Sequence, residues 1–443
     1  MRRLPPVLLL LAALLVPNSG DAPMAAPGVV GSSVLSSMAT GLSVRVIVLF
    51  DADDLSLTDL GSRSKAISSR RDGVLDQISP EEFRVTDTFA NISAVGGYVT
   101  FEGLKKLVRD HRVQRIDLDI PGQMALAEST DLVHARDVHA QGITGQGVAV
   151  AVLDTGIDSD HPDLQDDIVA QQCFCTNADG SGCCPGGRTE ASGPGGAEDE
   201  QGHGTHVAGV ISSGGRVAPR GMAPDADIVA VRVLDRTGAA ASATQLLKAF
   251  DWILSTQPAV KVVNASLTFG SFAGACDQAS AFTLALTQAV GALRARGTLT
   301  VASAGNAANK GEMGAPACIS NAIGVGAVYD GNVGTISFGC TDGSTSADRI
   351  ACFSNSSSAI DLLAPGAAIS SSGMGGGVAG FAGTSQAAPH VSGALALLLQ
   401  AKPSATADQL EAALKTSGRP ITDTNGISTP RIEVRTAVDA IKR

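Results

Sequence analysis

The chain has 443 residues, of which 44% are hydrophobic and 17% charged, and its formal net charge is −11. This length allows more than one folded unit, and the apolar content excludes a disordered chain. The acidic balance argues against a nucleic-acid-binding protein, which normally presents a basic face.

The N-terminus has the pattern of an export signal. Arg2 and Arg3 precede an apolar run at residues 7–16, and small and polar residues follow. The run is too short to span a bilayer, which requires about 20 residues. We therefore predict a signal peptide at residues 1–22 and a secreted protein without a membrane anchor, rather than a buried N-terminal helix.

Eight cysteines in an exported chain predict disulfide bonds. Four of them lie close together: Cys173, Cys175, Cys183 and Cys184. Bonds between immediate neighbours would close strained loops, so two connectivities remain that join the first pair to the second. A four-cysteine zinc site is the alternative, although the spacing is unlike the usual Cys-x2-Cys pair.

Two regions precede the main part of the chain. Residues 23–43 are rich in small residues and predict a flexible linker. Residues 44–126 predict a small α/β unit from alternating and helical apolar patterns. Its predicted strands lie at 44–50, 95–101 and 114–120, and its predicted helix within 101–113.

From residue 127 to 443, apolar strands alternate with amphipathic helices. The predicted strands are 148–153, 228–234, 260–267, 299–304 and 322–328. Continuous apolar runs are typical of strands buried on both faces. The sequence therefore predicts an α/β fold, with a parallel sheet flanked by helices on both faces. Thr406 and Gln409 have the spacing of a capping box at the start of another helix.

Three short motifs contain the residues needed for nucleophilic catalysis. Asp154 follows a buried strand, His203 opens a small-residue helix, and Ser385 lies at the start of a long apolar helix. A serine hydroxyl needs a base to become a nucleophile, and a histidine base needs a carboxylate to orient it. Asn306 lies at the end of another strand, where its amide can donate to an oxyanion.

These motifs, in the order Asp, His, Ser, resemble those of the subtilisin-like serine proteases (subtilases) over residues 127–443. The resemblance implies a monomeric serine endopeptidase that cleaves proteins or peptides through an acyl-enzyme. Asp154, His203 and Ser385 would form its catalytic triad, and Asn306 would complete the oxyanion hole. It also implies that an edge strand from Ser266 and Leu267 pairs with substrate, and that Gly314 lies in the floor of the specificity pocket, leaving room for a large apolar side chain.

The resemblance extends to residues 44–126, which are similar to a ferredoxin-like propeptide of such proteases. It implies a zymogen that processes itself within residues 123–131, with the propeptide as an intramolecular inhibitor. Disulfides joining Cys276 to Cys318 and Cys340 to Cys352 are implied by the same resemblance.

The chain also departs from the family pattern. Gln386 stands where most members have a methionine after the catalytic serine. No cofactor is required for the chemistry, but Asp163 matches a calcium ligand of the family, so structural calcium is expected. Residues 212–222 differ from the family's calcium loop, with no obvious Asn or Asp ligand.

Other classes of protein fit the sequence less well. An aspartic protease needs a second Asp-Thr-Gly or Asp-Ser-Gly, which the chain does not have. A metal hydrolase would place paired histidines at wider helical spacing than His203 and His206. The glycines at 142, 145 and 147 precede a strand, whereas a dinucleotide-binding loop follows one. An inactive subtilase fold that acts as a binding module remains the alternative of a different kind.

Overall fold

The computed structural model describes residues 29–30, 32–38, 43–51, 60–89, 92–118 and 126–443. The chain divides into two compact units, Met1–Gln123 and Met124–Arg443. The predicted signal peptide lies outside the described residues, as does most of the predicted linker. Among the helices that are described, none is both long and apolar enough to cross a membrane.

The first unit contains a four-stranded antiparallel sheet with the strand order β2-β3-β1-β4. Its described elements are α1 Ser32–Met38, β1 Ser43–Phe50, α2 Leu60–Leu75, β2 Phe83–Thr88, β3 Ala94–Thr100, α3 Phe101–Arg109 and β4 Val113–Leu118.

The sequence pattern explains how this unit forms its core. Alternation along β1 buries Val46, Val48 and Phe50 on one face of the sheet, because successive side chains of a strand point to opposite faces. Leu104 and Leu107 of α3 join the same core. The strands and the helix expected in this region are present, within a residue or two at most ends.

The second unit is built on a ten-stranded sheet with the order β19-β20-β16-β13-β11-β9-β5-β8-β6-β7. Its elements as far as β10 are α4 Leu126–Leu132, α5 Ala135–His139, β5 Ala149–Asp154, β6 Ile168–Phe174, β7 Glu190–Ser192, α6 His203–Ser212, β8 Asp227–Arg232, α7 Ala243–Thr256, β9 Val260–Ala265 and β10 Phe269–Phe272. The next elements are α8 Ala281–Ala295, β11 Leu299–Ser303, β12 Met313–Ala315, β13 Ala322–Tyr329, β14 Ile336–Phe338, β15 Cys340–Asp342, β16 Leu362–Ala367, β17 Ile369–Gly373 and β18 Gly377–Phe381. The last are α9 Thr384–Ala401, α10 Ala407–Ser417, β19 Arg419–Thr422, β20 Ser428–Arg431 and α11 Val434–Ile441.

The large sheet is buried on both faces. Its strand pairs are parallel except β6 with β7 and β19 with β20. Val150 and Val152 of β5 belong to the core on one face, together with residues of α6 and α9. Ala151 and Leu153 belong to the core on the other, together with residues of α7 and α8. The predicted α/β class, a parallel sheet between two layers of helices, is confirmed.

All eight cysteines form disulfide bonds. Of the two connectivities left open for the first group, the fold selects the nested one, Cys173–Cys184 and Cys175–Cys183. These four sulfurs are therefore bonded to each other, and the alternative of a zinc site is wrong. The other two bonds join Cys276 to Cys318 and Cys340 to Cys352.

Candidate active site

The candidate site lies at the carboxyl edge of the large sheet. Asp154 is the last residue of β5, Ser266 follows β9, and Asn306 lies shortly after β11. These three strands are adjacent and parallel, in the order β11-β9-β5. Parallel strands end on the same side, which is where open α/β sheets bind their ligands.

Asp154 and His203 are in direct contact. Asp154 Oδ1 lies 2.7 Å from His203 Nδ1 and also accepts the backbone N–H of Thr155 at 2.8 Å. The Asp154 side chain is fully buried, and its Oδ2 has no hydrogen-bond partner among the described residues. A glycine at 204 permits this approach, since a Cβ there would lie 2.0 Å from the carbonyl oxygen of Gly156.

The two histidines of α6 have opposite electrostatic environments. Burial lowers the pKa of His203, but the charge and hydrogen bond of Asp154, assisted by the charge of Asp199, outweigh it and raise the pKa above 6.5. Burial lowers the pKa of His206 to about 3, so this imidazole is neutral at neutral pH. His206 donates its Nε2–H to the carbonyl oxygen of Ile369 at 3.0 Å and has a structural role. His203 is therefore the histidine suited to proton transfer.

Ser385 is the second residue of α9. Its hydroxyl donates to the carbonyl oxygen of Ser266 at 3.2 Å, and the Ser266 hydroxyl donates to the Ser385 carbonyl oxygen at 2.7 Å. No hydrogen bond joins the Ser385 hydroxyl to His203 among the contacts of the described residues. The ring of Phe381, in the strand just before α9, stacks beside the His203 ring with centroids 6.2 Å apart. A hydrogen bond between a serine hydroxyl and a histidine base is often long in an apoenzyme and shortens when substrate binds.

Asn306 contacts the start of the helix that contains Ser385. Its Oδ1 accepts both the backbone N–H and the hydroxyl of Thr384, at 2.8 and 2.9 Å. Its Nδ2 lies 3.1 Å from the position that a Cβ would take at Gly383. The amide is thus oriented by its oxygen, and its N–H donors lie next to the first turn of α9. The first-turn N–H groups there have no partner within the helix and favour negative charge.

The predicted substrate-binding residues lie just after β9 and in β12. Residues 266–268 are not in a strand, because β9 ends at Ala265. The next strand, β10, pairs antiparallel with β12, which contains Gly314. Ser266 and Leu267 are both buried. Pairing of the segment from Ser266 and Leu267 with a substrate backbone stays a prediction.

The space beside Gly314 is also not open. A Cβ at Gly314 would lie 2.7 Å from the Cβ of Thr268. The Thr268 side chain therefore occupies the volume that the glycine leaves free, and the room expected there for a large apolar group is reduced.

Asp163 does not fit a calcium ion. Its buried carboxylate accepts the backbone N–H groups of three successive residues, Arg216, Val217 and Ala218. Hydrogen-bond donors directed at both oxygens disfavour a cation, which needs those lone pairs. Within the described residues, no group of three or more His, Cys, Asp or Glu is placed to hold a metal ion. Asp163 instead anchors the loop at 214–218, so the ligand assignment is not supported by its contacts.

Two contacts near the site were not predicted from the sequence. The Asp199 carboxylate caps the first turn of α6, and an acidic residue before a helix is a recognisable signal. The imidazole of His390 in α9 lies 2.9 Å from the hydroxyl of Ser129, and both are fully buried. Burial lowers the pKa of His390 to about 4. Gln386, the departure from the family pattern noted above, is buried, and its Nε2 has no partner among the described residues.

Comparison with known proteins identifies the family. A sequence model of the Subtilase family matches residues 145–432. Subtilisin E of Bacillus subtilis (strain 168) is 31% identical over 349 residues, covering 77% of this chain and 80% of the relative. Subtilisin Savinase of Lederbergia lenta is 34% identical over 294 residues, covering 66% and 91%.

Comparison with solved structures leads to the same family. A cold adapted subtilisin-like serine proteinase superposes with a TM-score of 0.50 at 28% identity, covering 65% of this chain and 89% of the other. A protease from Pseudoalteromonas arctica PAMC 21717 superposes with a TM-score of 0.54 at 26% identity, covering 72% and 99%. With the sheet, the site at its carboxyl edge and these relatives in agreement, the chain belongs to the subtilase family of serine endopeptidases.

Proposed function

We propose that this chain is the precursor of a secreted, monomeric serine endopeptidase that hydrolyses proteins or peptides through an acyl-enzyme. The observation that supports it most directly is the 2.7 Å contact between the buried Asp154 carboxylate and His203 Nδ1. This contact fixes one tautomer of the imidazole and leaves Nε2 free to act as a base.

In this mechanism Ser385 attacks the carbonyl carbon of the scissile bond while His203 Nε2 takes the hydroxyl proton. The tetrahedral intermediate places negative charge on the former carbonyl oxygen, which the Asn306 Nδ2 and the Ser385 backbone N–H stabilise. His203 then returns the proton to the leaving amine. Water repeats the sequence on the acyl-enzyme, and Asp154 stabilises the imidazolium each time it forms.

The substrate class follows from the loop beside Gly314. Ser266, Leu267 and Gly314 are proposed to border the substrate, as in the family. The side chain of Thr268 against Gly314 favours a small or medium apolar residue on the acyl side of the scissile bond, rather than the large one that a glycine alone suggests.

The proposal includes an inactive precursor. Residues 44–126 act as the propeptide, and the first unit's element order from β1 to β4, strand-helix-strand-strand-helix-strand, is that of a ferredoxin-like unit. Removal of the signal peptide and oxidation of the cysteines accompany export, in keeping with four disulfide bonds. Structural calcium stays a prediction, and the contacts of Asp163 with backbone N–H groups do not favour it as a ligand.

Expression of the full chain and its Ser385→Ala variant tests the proposal. The wild-type chain is expected to cut itself within residues 123–131 and to cleave casein, whereas Ser385→Ala stays at precursor length. Ser358→Ala, which changes an exposed serine, is the matched control and should process normally.

A serine-directed covalent inhibitor adds a direct readout. It should label Ser385 alone, as determined by peptide mass spectrometry. Full peptidase activity in purified Ser385→Ala would refute the mechanism. Equal processing of both forms in a protease-deficient host, without casein cleavage by either, would favour the binding module.

A further inference from the structure

Asp199 is a buried carboxylate in the segment that leads into α6. Its Oδ1 accepts the backbone N–H groups of Gln201 and Gly202 at 2.9 and 3.0 Å. Its Oδ2 accepts the backbone N–H and the hydroxyl of Thr205 at 3.0 and 2.6 Å. Both oxygens are therefore committed to the residues immediately around His203.

The helix needs acceptors from neighbouring residues because its N-cap residue supplies none; Gln201 Oε1 accepts the His203 N–H at 2.8 Å. Its N-cap residue is Gly202, with φ at +101° and no side chain to accept a hydrogen bond. The first N–H groups of a helix have no partner within it, and a negative charge near them is favourable. Asp199 supplies both the acceptor and the charge.

The carboxylate is itself held from outside the helix. Arg232, at the end of β8, is fully buried and directs its guanidinium to the segment on either side of Asp199. It donates to the carbonyl oxygen of Glu198 at 2.8 Å and to the carboxylate of Glu200 at 3.0 Å. The Asp199 backbone N–H donates to the Ile157 carbonyl at 3.3 Å. Asp199 is thus fixed to the framework of the sheet.

Two hydroxyls connect this arrangement to the loop that follows Asp154. The Thr205 hydroxyl donates to Asp199 and accepts the backbone N–H of Asp158 at 2.9 Å. The Thr155 hydroxyl accepts the Gly204 backbone N–H at 2.8 Å. The first turn of α6 therefore cannot rotate without breaking contacts on both sides.

The negative charges near His203 both raise its pKa. Asp154 from β5 and Asp199 both favour the protonated imidazole, against the cost of burial. His206, on the same helix, is held neutral by burial, which lowers its pKa to about 3. Arg232 is turned to Glu198 and Glu200 and so flanks Asp199 rather than facing the imidazole.

We propose that Asp199 is a positioning residue for peptide hydrolysis: its buried carboxylate fixes the first turn of α6 so that His203 meets Asp154, and its charge stabilises the imidazolium formed in each acyl-transfer step. This inference rests on the proposed role of His203 as the catalytic base. Asp199 does not touch the substrate and acts only through His203.

Asp199→Asn and Asp199→Glu separate charge from geometry. Concentrations are normalised with a serine-directed active-site titrant, and kcat, KM and the pH dependence of kcat/KM are measured on a peptide substrate. Asp199→Asn should lower kcat on the order of tenfold with little change in KM. Its acid limb should move to lower pH, since a negative charge near His203 is lost.

Asp199→Glu keeps the charge but displaces the oxygens. It should retain the acid limb of the wild type and still lose kcat. Asp408→Asn, a first-turn carboxylate of the surface helix α10, is the matched control and should leave both readouts unchanged.

The inference would be overturned if either variant had the wild-type kcat per active site together with an unshifted acid limb in its pH profile of kcat/KM. A lower yield of enzyme with normal kinetics would assign Asp199 to folding alone and would overturn it equally. If Asp199→Asn does not fold, an undiminished kcat in Asp199→Glu is sufficient to reject it. Full activity in His203→Ala would instead refute the proposed function, whatever Asp199 does.

Discussion

Helices at the site and helices at the surface obtain their N-terminal hydrogen-bond partners in different ways. The surface helices α8 and α10 are capped locally. Ser280 and Thr283 form a capping box at the start of α8, and Thr406 and Gln409 form another at the start of α10. Each capping box lies within four consecutive residues, so the local sequence determines where these two helices begin.

The site helices α6 and α9 begin after Gly202 and Gly383, neither of which supplies a side-chain cap. Their first turns also take partners from residues far away in the chain: Thr155 holds the Gly204 N–H, and Asn306 holds the Thr384 N–H. In α6, Asp199 and Gln201 just before the helix accept further first-turn N–H groups. The start of each site helix therefore depends on tertiary contacts, whereas the surface helices use near neighbours alone. Those contacts place His203 and Ser385, and they leave other N–H groups directed at the site.

The largest expected effect comes from the partner of His203. Asp154→Asn keeps the size of the side chain but favours the wrong imidazole tautomer, so kcat should fall about 10⁴-fold with little change in KM. Steady-state kinetics on a peptide substrate measure this. Asp408→Asn on α10 is the matched control and should have no effect on kcat. A loss below about tenfold would contradict the assignment of Asp154.

Removal of the distant partner of α9 is next in size. Asn306→Ala removes both the donor to the oxyanion and the acceptor for Thr384. A loss of about 10²–10³-fold in kcat is expected, the range known for the corresponding change in subtilisin. The same kinetic assay measures it, with the exposed Asn332→Ala as control. An unchanged kcat with a raised KM would mean that Asn306 binds substrate without stabilising the oxyanion.

A smaller effect is expected at Thr268, which fills the space over Gly314 from the segment between β9 and β10. Thr268→Gly should raise kcat/KM for substrates with a large apolar side chain, relative to small ones, by about tenfold. Cleavage profiling on a peptide library tests this, with Thr424→Gly at an exposed turn as control. No change in preference would show that Thr268 lies outside the substrate pocket.

The smallest effect is expected at a local cap. Thr406→Ala should lower the free energy of unfolding by about 1 kcal/mol and leave kcat unchanged, because α10 is remote from the triad in the chain and capped by its own residues. Urea unfolding in the Ser385→Ala background avoids self-digestion. A drop in kcat per active site would show that α10 is coupled to the site and would break the distinction between the two kinds of helix.

Local patterns made much of this fold predictable. Continuous apolar runs such as 148–153 identified the buried strands, and the spacing of Thr406 and Gln409 identified a helix start, since both depend on near neighbours in the chain. The contact between Asp154 and His203 followed from motif order and the resemblance to subtilases.

Contacts between distant segments were not predictable in the same way. The strand predicted at 260–267 ends at Ala265, and the next strand, β10, pairs with Met313–Ala315. Asp163 matched a calcium ligand by motif, yet its oxygens accept backbone N–H groups from 216–218. The pairing of Cys173 with Cys184 likewise depended on which strands the intervening loop connects.

The amino-acid sequence by itself determined the layered α/β fold, the residue types available for acyl transfer and the local caps of the surface helices. Hydrophobic periodicity and hydrogen bonding between near neighbours suffice for these features. The tertiary structure decided which imidazole meets the buried acid and which side chain fills the space at Gly314. Those outcomes depend on the packing of segments remote in sequence, and on burial, which sets the protonation of His203 and His206 in opposite directions.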